Sequence, residues 1–79
     1  MSKIEIAQQV LDELERANSK YNPQFNSLNE ALGTIYGEFC EMRNDIISHQ
    51  PPDKIREECI QVAAMCVKFA QYLDKRSNQ

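Results

Sequence analysis

Tryptophan is absent, glycine occurs twice, histidine once, and no apolar run approaches the ~20 residues that a membrane span needs. A basic surplus is missing as well. Twelve Asp and Glu stand against nine Lys and Arg, for a net charge of −3, which argues against a nucleic-acid-binding face. No signal-peptide pattern opens the chain, so a cytoplasmic protein with no membrane or nucleic-acid partner is expected. Cys-x-x-Cys is lacking too: Cys40, Cys59 and Cys66 are an odd number at spacings that favour neither a disulfide framework nor zinc. His49 stands alone beside Gln50-Pro51-Pro52, where it is expected to be solvated. At 79 residues the chain forms one small domain. A domain of this size buries only about 60% of its unfolded surface, so self-association is expected.

The stretch from Lys54 to Leu73 organises the rest. Ile55, Cys59, Val62, Cys66, Phe69 and Leu73 alternate at spacings of four and three, which at about 100° per residue makes one stripe down a helix. On that stripe Cys59 and Cys66 are expected to act as small hydrophobes. Ala63, Ala64 and Ala70 widen the buried surface, which implies more than one neighbour. Pro51 and Pro52 suit the start of this helix, and Asp53, Glu57 and Glu58 place acids near its N-terminus. Beside the stripe, Glu58 and Gln61 stand one turn apart, with Lys54 a turn earlier.

Two further helices precede it. Ser2 and Glu5 have capping-box spacing, and Ile6, Val10, Leu14, Ala17 and Tyr21 continue an amphipathic helix over about 3–19. The segment 18–26 (NSKYNPQFN) turns the chain, and its Tyr21 and Phe25 either cover the end of the core or line a base-binding pocket. Ser27 or Asn26 can cap a second helix over about 27–47, with Glu30 at capping-box distance from Ser27, and Leu28, Leu32, Ile35, Phe39, Met42 and Ile46 form its stripe. Gly33 and Gly37 lie within it. Each costs about 1 kcal/mol against alanine, which implies close approach of a helix or a ligand. The third helix spans about 53–75 and ends in a frayed polar tail from Lys75 to Gln79. The short link between the last two helices makes them antiparallel neighbours. With no strand signal anywhere, the fold class is all-α, a three-helix chain around a helical hairpin.

Glu38, Glu41 and Asp45 share one shoulder of the second helix, and Glu58 and Gln61 occupy the same phase on the third. If the two helices pack through their stripes, these groups converge. Carboxylates brought together repel unless a cation neutralises them, and oxygen ligands suit Mg2+ or Mn2+. Lys54, Arg56 and Lys68 are cations close enough in sequence to meet phosphate oxygens. The plainer alternative is a set of solvated charges on helix shoulders.

The segments 21–31 (YNPQFNSLNEA), 37–42 (GEFCEM) and 56–65 (REECIQVAAM) are similar to the short phage and bacterial members of the MazG-like all-α nucleotide pyrophosphohydrolase superfamily. The resemblance covers roughly residues 10–73 and is most specific in the last segment. It implies an oligomeric bundle, a homodimer or homotetramer, and Mg2+-dependent hydrolysis of a nucleoside triphosphate to the monophosphate and pyrophosphate. Carried over by position, Glu38, Glu41 and Glu58 would bind the metal, with Gln61 at the fourth site and Glu41 and Gln61 at catalytic positions; in such a hydrolase Lys54 and Arg56 would contact phosphates, and Tyr21 or Phe25 could stack on the base. Gly37 stands where the family usually has a glutamate, and Gln61 where its catalytic members have aspartate. Those departures imply the alternative of a catalytically degenerate, phage-type regulator that keeps the fold and binds a nucleotide or a protein partner.

Overall fold

The structure, a computed structural model, describes residues 1–77 and contains three helices and no strand among them: α1 (Lys3–Lys20), α2 (Leu28–Ile47) and α3 (Pro52–Ser77). Local chemistry sets the helix ends. Ser2 Oγ accepts from the Glu5 backbone N–H at 3.2 Å while Glu5 Oε1 accepts from the Ser2 N–H at 3.1 Å, a complete capping box. Ser27 Oγ caps α2 through the Glu30 N–H at 3.0 Å, but the Glu30 side chain turns to the Asn26 amide instead of closing the box. Pro52 takes the first helical position of α3, where its missing N–H costs nothing. The end of α2 is a Schellman motif: Gln50 N–H bonds Asp45 O at 2.9 Å and His49 N–H bonds Ile46 O at 3.2 Å. His49 sits there at φ 58°, in the left-handed region that glycine usually fills. Its side chain is exposed, as expected.

Helix α3 packs against both α1 and α2, whose own backbones do not come within 8 Å of each other. The expectation that the last helix serves more than one neighbour holds. Glu58 faces Glu41 and Gln61 faces Glu38, so α2 and α3 run antiparallel across the link 48–51. The core is small, made of Leu14, Ala17, Phe25, Ala31, Ala64 and Met65, with Val10, Ile35, Val67, Phe69 and Tyr72 packed around it. The Phe25 ring meets Phe69 edge-on at 6.4 Å and 81°, and its burial contributes on the order of 2–3 kcal/mol. None of the helices is long and apolar enough to cross a membrane.

Several expectations from periodicity are corrected. On α3 the buried side chains are Glu58, Ala64, Met65 and Lys68, whereas Cys59, Cys66 and Leu73 of the apolar stripe are exposed. The inward face is turned roughly 100° from the expected one, the step of a single residue. Glu58, bonded by Gln61, and Lys68, bonded to Asn22 O beside the Phe25 ring, share the inside with Ala64 and Met65 and leave the stripe out. On α2 only Ala31 is buried, while Leu28, Leu32, Phe39 and Ile46 of its stripe face outward. On α1, Leu14 and Ala17 are buried as expected, but Ile6 and Tyr21 are exposed. Gly33 and Gly37 have no atom within 4 Å of a β-carbon placed on them, so no close helix approach accounts for them. The expected frayed tail is helical through Ser77, with Lys75 and Arg76 in the last turn, and Asn78 and Gln79 lie outside the described residues.

Candidate functional site

Glu38 and Glu41 project from α2 one turn apart, and Glu58 projects from α3 toward them. One carboxylate oxygen from each lies within 4.8 Å of the others. The antiparallel register produces this meeting, because an i, i+3 pair on one helix falls opposite a single position on its neighbour. Gln61, one turn after Glu58, spans the group. With its amide nitrogen facing the acids it donates to Glu58 Oε2 at 3.0 Å and to Glu38 Oε2 at 3.2 Å. A glutamine at this position therefore ties two like-charged side chains together, which an aspartate could not do.

The cluster is strained electrostatically. Burial raises the Glu58 carboxyl above its ordinary value, reinforced by the charge of Glu41, by a hydrogen bond with Glu41 and by the charge of Asp45; Lys54 opposes the shift. Glu38 is raised in the same direction by desolvation, then by Glu41 and Glu13, against the pull of Arg16. The three members grade from buried Glu58 through half-buried Glu38 to exposed Glu41. No ion pair neutralises them among the described residues, since the ion pair present there joins Arg16 to Glu13. A hard divalent cation fits such a donor set by charge and by oxygen chemistry.

The cluster borders a cleft of about 420 Å3. Because the backbones of α1 and α2 stand apart, the gap between them is floored by α3. Glu13, Arg16 and Ala17 of α1 form one wall with Tyr21, Asn22 and Phe25 of the following loop. Glu30, Thr34 and Glu38 of α2 form the other, and Gln61, Met65 and Lys68 line the floor. Glu38 and Gln61 thus belong both to the acidic cluster and to the cleft. Arg16 makes a two-point contact with Glu13, Nε to Oε1 at 3.0 Å and Nη2 to Oε2 at 2.5 Å. Asn22 Oδ1 accepts from the Gln24 N–H at 3.0 Å, an Asx turn that shapes the loop around Pro23.

The structure brings Glu38, Glu41, Glu58 and Gln61 together, and it puts Tyr21 and Phe25 in the cleft wall. Phe25 closes the core, as the first alternative has it, and also lines the cleft; Tyr21 is largely exposed at the end of α1. Lys54 and Arg56 are exposed on the first turns of α3 and line no part of the cleft; Arg56 Nη2 lies 3.4 Å from Met1 Sδ. Asp45 contributes its charge to Glu58 without joining the trio. Sequence reasoning missed Glu13, Arg16, Glu30 and Thr34 because it read α1 by its cap and apolar stripe and the start of α2 by its cap and stripe alone. The phase that α3 imposes on both neighbours was the missing information. Comparison with protein-family models, curated proteins and solved structures gives no match for this chain.

Proposed function

We propose that this chain is a MazG-like, Mg2+- or Mn2+-dependent nucleoside triphosphate pyrophosphohydrolase. The observation that carries this reading is the meeting of three carboxylate oxygens within 4.8 Å at the mouth of a cleft. A divalent ion held by Glu38, Glu41 and Glu58 would neutralise the trio and supply electrostatic stabilisation to a transferring phosphoryl group. The roles of the chain's own groups follow from their places. Gln61 orients Glu38 and Glu58 by donating to both. Glu41, the exposed member, is the carboxylate with access to solvent and so the one to orient the attacking water and accept its proton. Water attack at the α-phosphorus forms one P–O bond, breaks the bond to the bridging oxygen and releases pyrophosphate with the monophosphate. Tyr21, at the rim, offers an aromatic face to the base.

A second reading is favoured by Gln61 specifically. An amide that spends its donors on two carboxylates supplies no charge of its own, which suits a domain that binds a metal nucleotide without turning it over, as a phage or bacterial regulator acting through a protein partner would. Calorimetric titration with Mn2+, with and without a non-hydrolysable triphosphate analogue, tests the common core of both. Tighter Mn2+ binding with the analogue, lost in Glu38→Ala, supports it, and no heat from a folded protein refutes it. Release of pyrophosphate that disappears in Glu38→Ala and Glu41→Ala then separates enzyme from binder.

A homo-oligomer belongs to the same proposal. The chain exposes 5777 Å2. A compact monomer of 9.2 kDa exposes roughly 4,900 Å2, so the excess is as large as the roughly 800 Å2 that one partner contributes to a standard interface. One arc of α2 is an exposed apolar surface, where Leu32 is 66% and Tyr36 64% exposed beside Leu28, Phe39 and Ile46. Sedimentation of the wild type against Leu32→Lys tests this: a single monomeric species in both would exclude it.

A further inference from the structure

Lys68 is an unexpected occupant of so small a core. The residue is 6% exposed, yet its Nζ has only a backbone carbonyl and an aromatic face for company: it donates to Asn22 O at 2.7 Å and lies 4.7 Å from the centroid of the Phe25 ring. The hydrogen bond uses one of its three N–H donors, and neither contact brings a countercharge. Desolvating an ammonium without an anion is costly, so buried lysines normally have a carboxylate partner. Here none is within ion-pair distance among the described residues. Arg16, the other cation of the cleft, already has its guanidinium spent on Glu13. The cleft itself, about 420 Å3, has a volume within the range of small-molecule sites.

We infer that Lys68 is the anion-binding residue of the cleft and receives a phosphate group of a polyphosphate whose other end meets the cation held by Glu38, Glu41 and Glu58. This rests on the metal-site reading above and assigns the far end of the same ligand. Acids at one end and an uncompensated ammonium at the other suit a chain of phosphates bridged to a divalent ion. The acids alone would repel such an anion. Asn22 and Phe25 fix the ammonium at the wall, so little side-chain freedom is lost when the anion arrives. The assignment also removes Lys54 and Arg56 from this role, since neither borders the cleft.

The test is calorimetry with inorganic tripolyphosphate in saturating Mn2+, and with Mn2+ alone, on the wild type, Lys68→Met and Lys68→Arg. Mn2+ alone should bind all three equally. Tripolyphosphate should bind Lys68→Met about 10- to 100-fold more weakly than wild type, as expected for losing a charge-assisted contact, with Lys68→Arg between them. A non-hydrolysable nucleoside triphosphate run in parallel distinguishes a nucleotide from a bare polyphosphate as the ligand. If Lys68→Met does not fold, the wild type decides: the Lys68 side-chain carbon resonances should shift on adding tripolyphosphate. Unchanged tripolyphosphate affinity in Lys68→Met, a Lys68 resonance that stays put while other cleft resonances move, or a wild type that binds Mn2+ but no tripolyphosphate overturns the inference and leaves the metal site standing. No Mn2+ binding by folded wild type overturns both.

Discussion

Replacing Gly33 and Gly37 by alanine should stabilise this protein. Both are interior positions of α2, neither has a positive φ, and a β-carbon at either meets nothing within 4 Å. The usual reasons for keeping a glycine, a left-handed backbone or a close neighbour, are therefore missing. They also lie about 100° or more around the helix from the centre of the exposed apolar arc at Leu28, Leu32 and Phe39, so a second copy docked on that arc would not meet them. What remains is the propensity difference, about 0.8–1.0 kcal/mol per site. The two changes together should add about 2 kcal/mol, each single change raising Tm by roughly 4–8 °C for a domain of this size. Thermal melts by circular dichroism at fixed protein concentration, with Gly33→Ala as the control remote from the acids, would measure it. A Tm that falls at either position refutes the open-space argument. A fall accompanied by loss of self-association would show a neighbouring chain against the glycines.

Three other outcomes are expected. Glu58 and Glu38 have folded-state values raised above their unfolded ones, so the native state holds extra protons between the two: metal-free stability is fully present below the ordinary carboxylate range and is lost as pH rises through the raised values. Melts without metal should give a lower Tm at pH 7.5 than at pH 5, with Mn2+ restoring the difference at pH 7.5; a Tm that rises with pH would contradict the clustered geometry. His49→Gly should raise stability by about 0.5–1 kcal/mol in urea unfolding, because glycine fits φ 58° at the end of α2 without steric cost. Gln61→Asp removes two donors from the acids and adds a fourth carboxylate, so metal-free stability should fall on the order of 2 kcal/mol while Mn2+ affinity rises. Unchanged Mn2+ affinity would mean that position 61 does not face the ion.

How the elements form was legible in the sequence, and how they face was less so. Ser2, Ser27 and the two prolines announce the helix ends to within a residue or two of where they fall. The spacing of Glu38, Glu41 and Glu58 foreshadowed their meeting, because it depends only on helical period and an antiparallel register. The inward face of α3 did not follow, since hydrophobicity favours Cys59 and Cys66 over Glu58 and Lys68. A buried carboxylate held by Gln61 and a buried ammonium over Phe25 are invisible until the partners are in place. The glycines show the converse: a composition signal for close packing with no neighbour to match it.

The separation of α1 from α2 has a dynamic consequence. Helix α1 is held through its face on α3 and the segment 21–27, and its backbone runs close to α3 over a shorter stretch than that of α2 does. An opening that releases α1 lifts one wall from the cleft while leaving the acids and Gln61 assembled on the remaining pair. Amide hydrogens of α1 should exchange through this partial opening ahead of those in α2 and α3. A ligand reaching from the acids to the loop would slow that exchange by holding the wall in place, so occupancy would be written in the protection of a helix that carries none of the carboxylate trio.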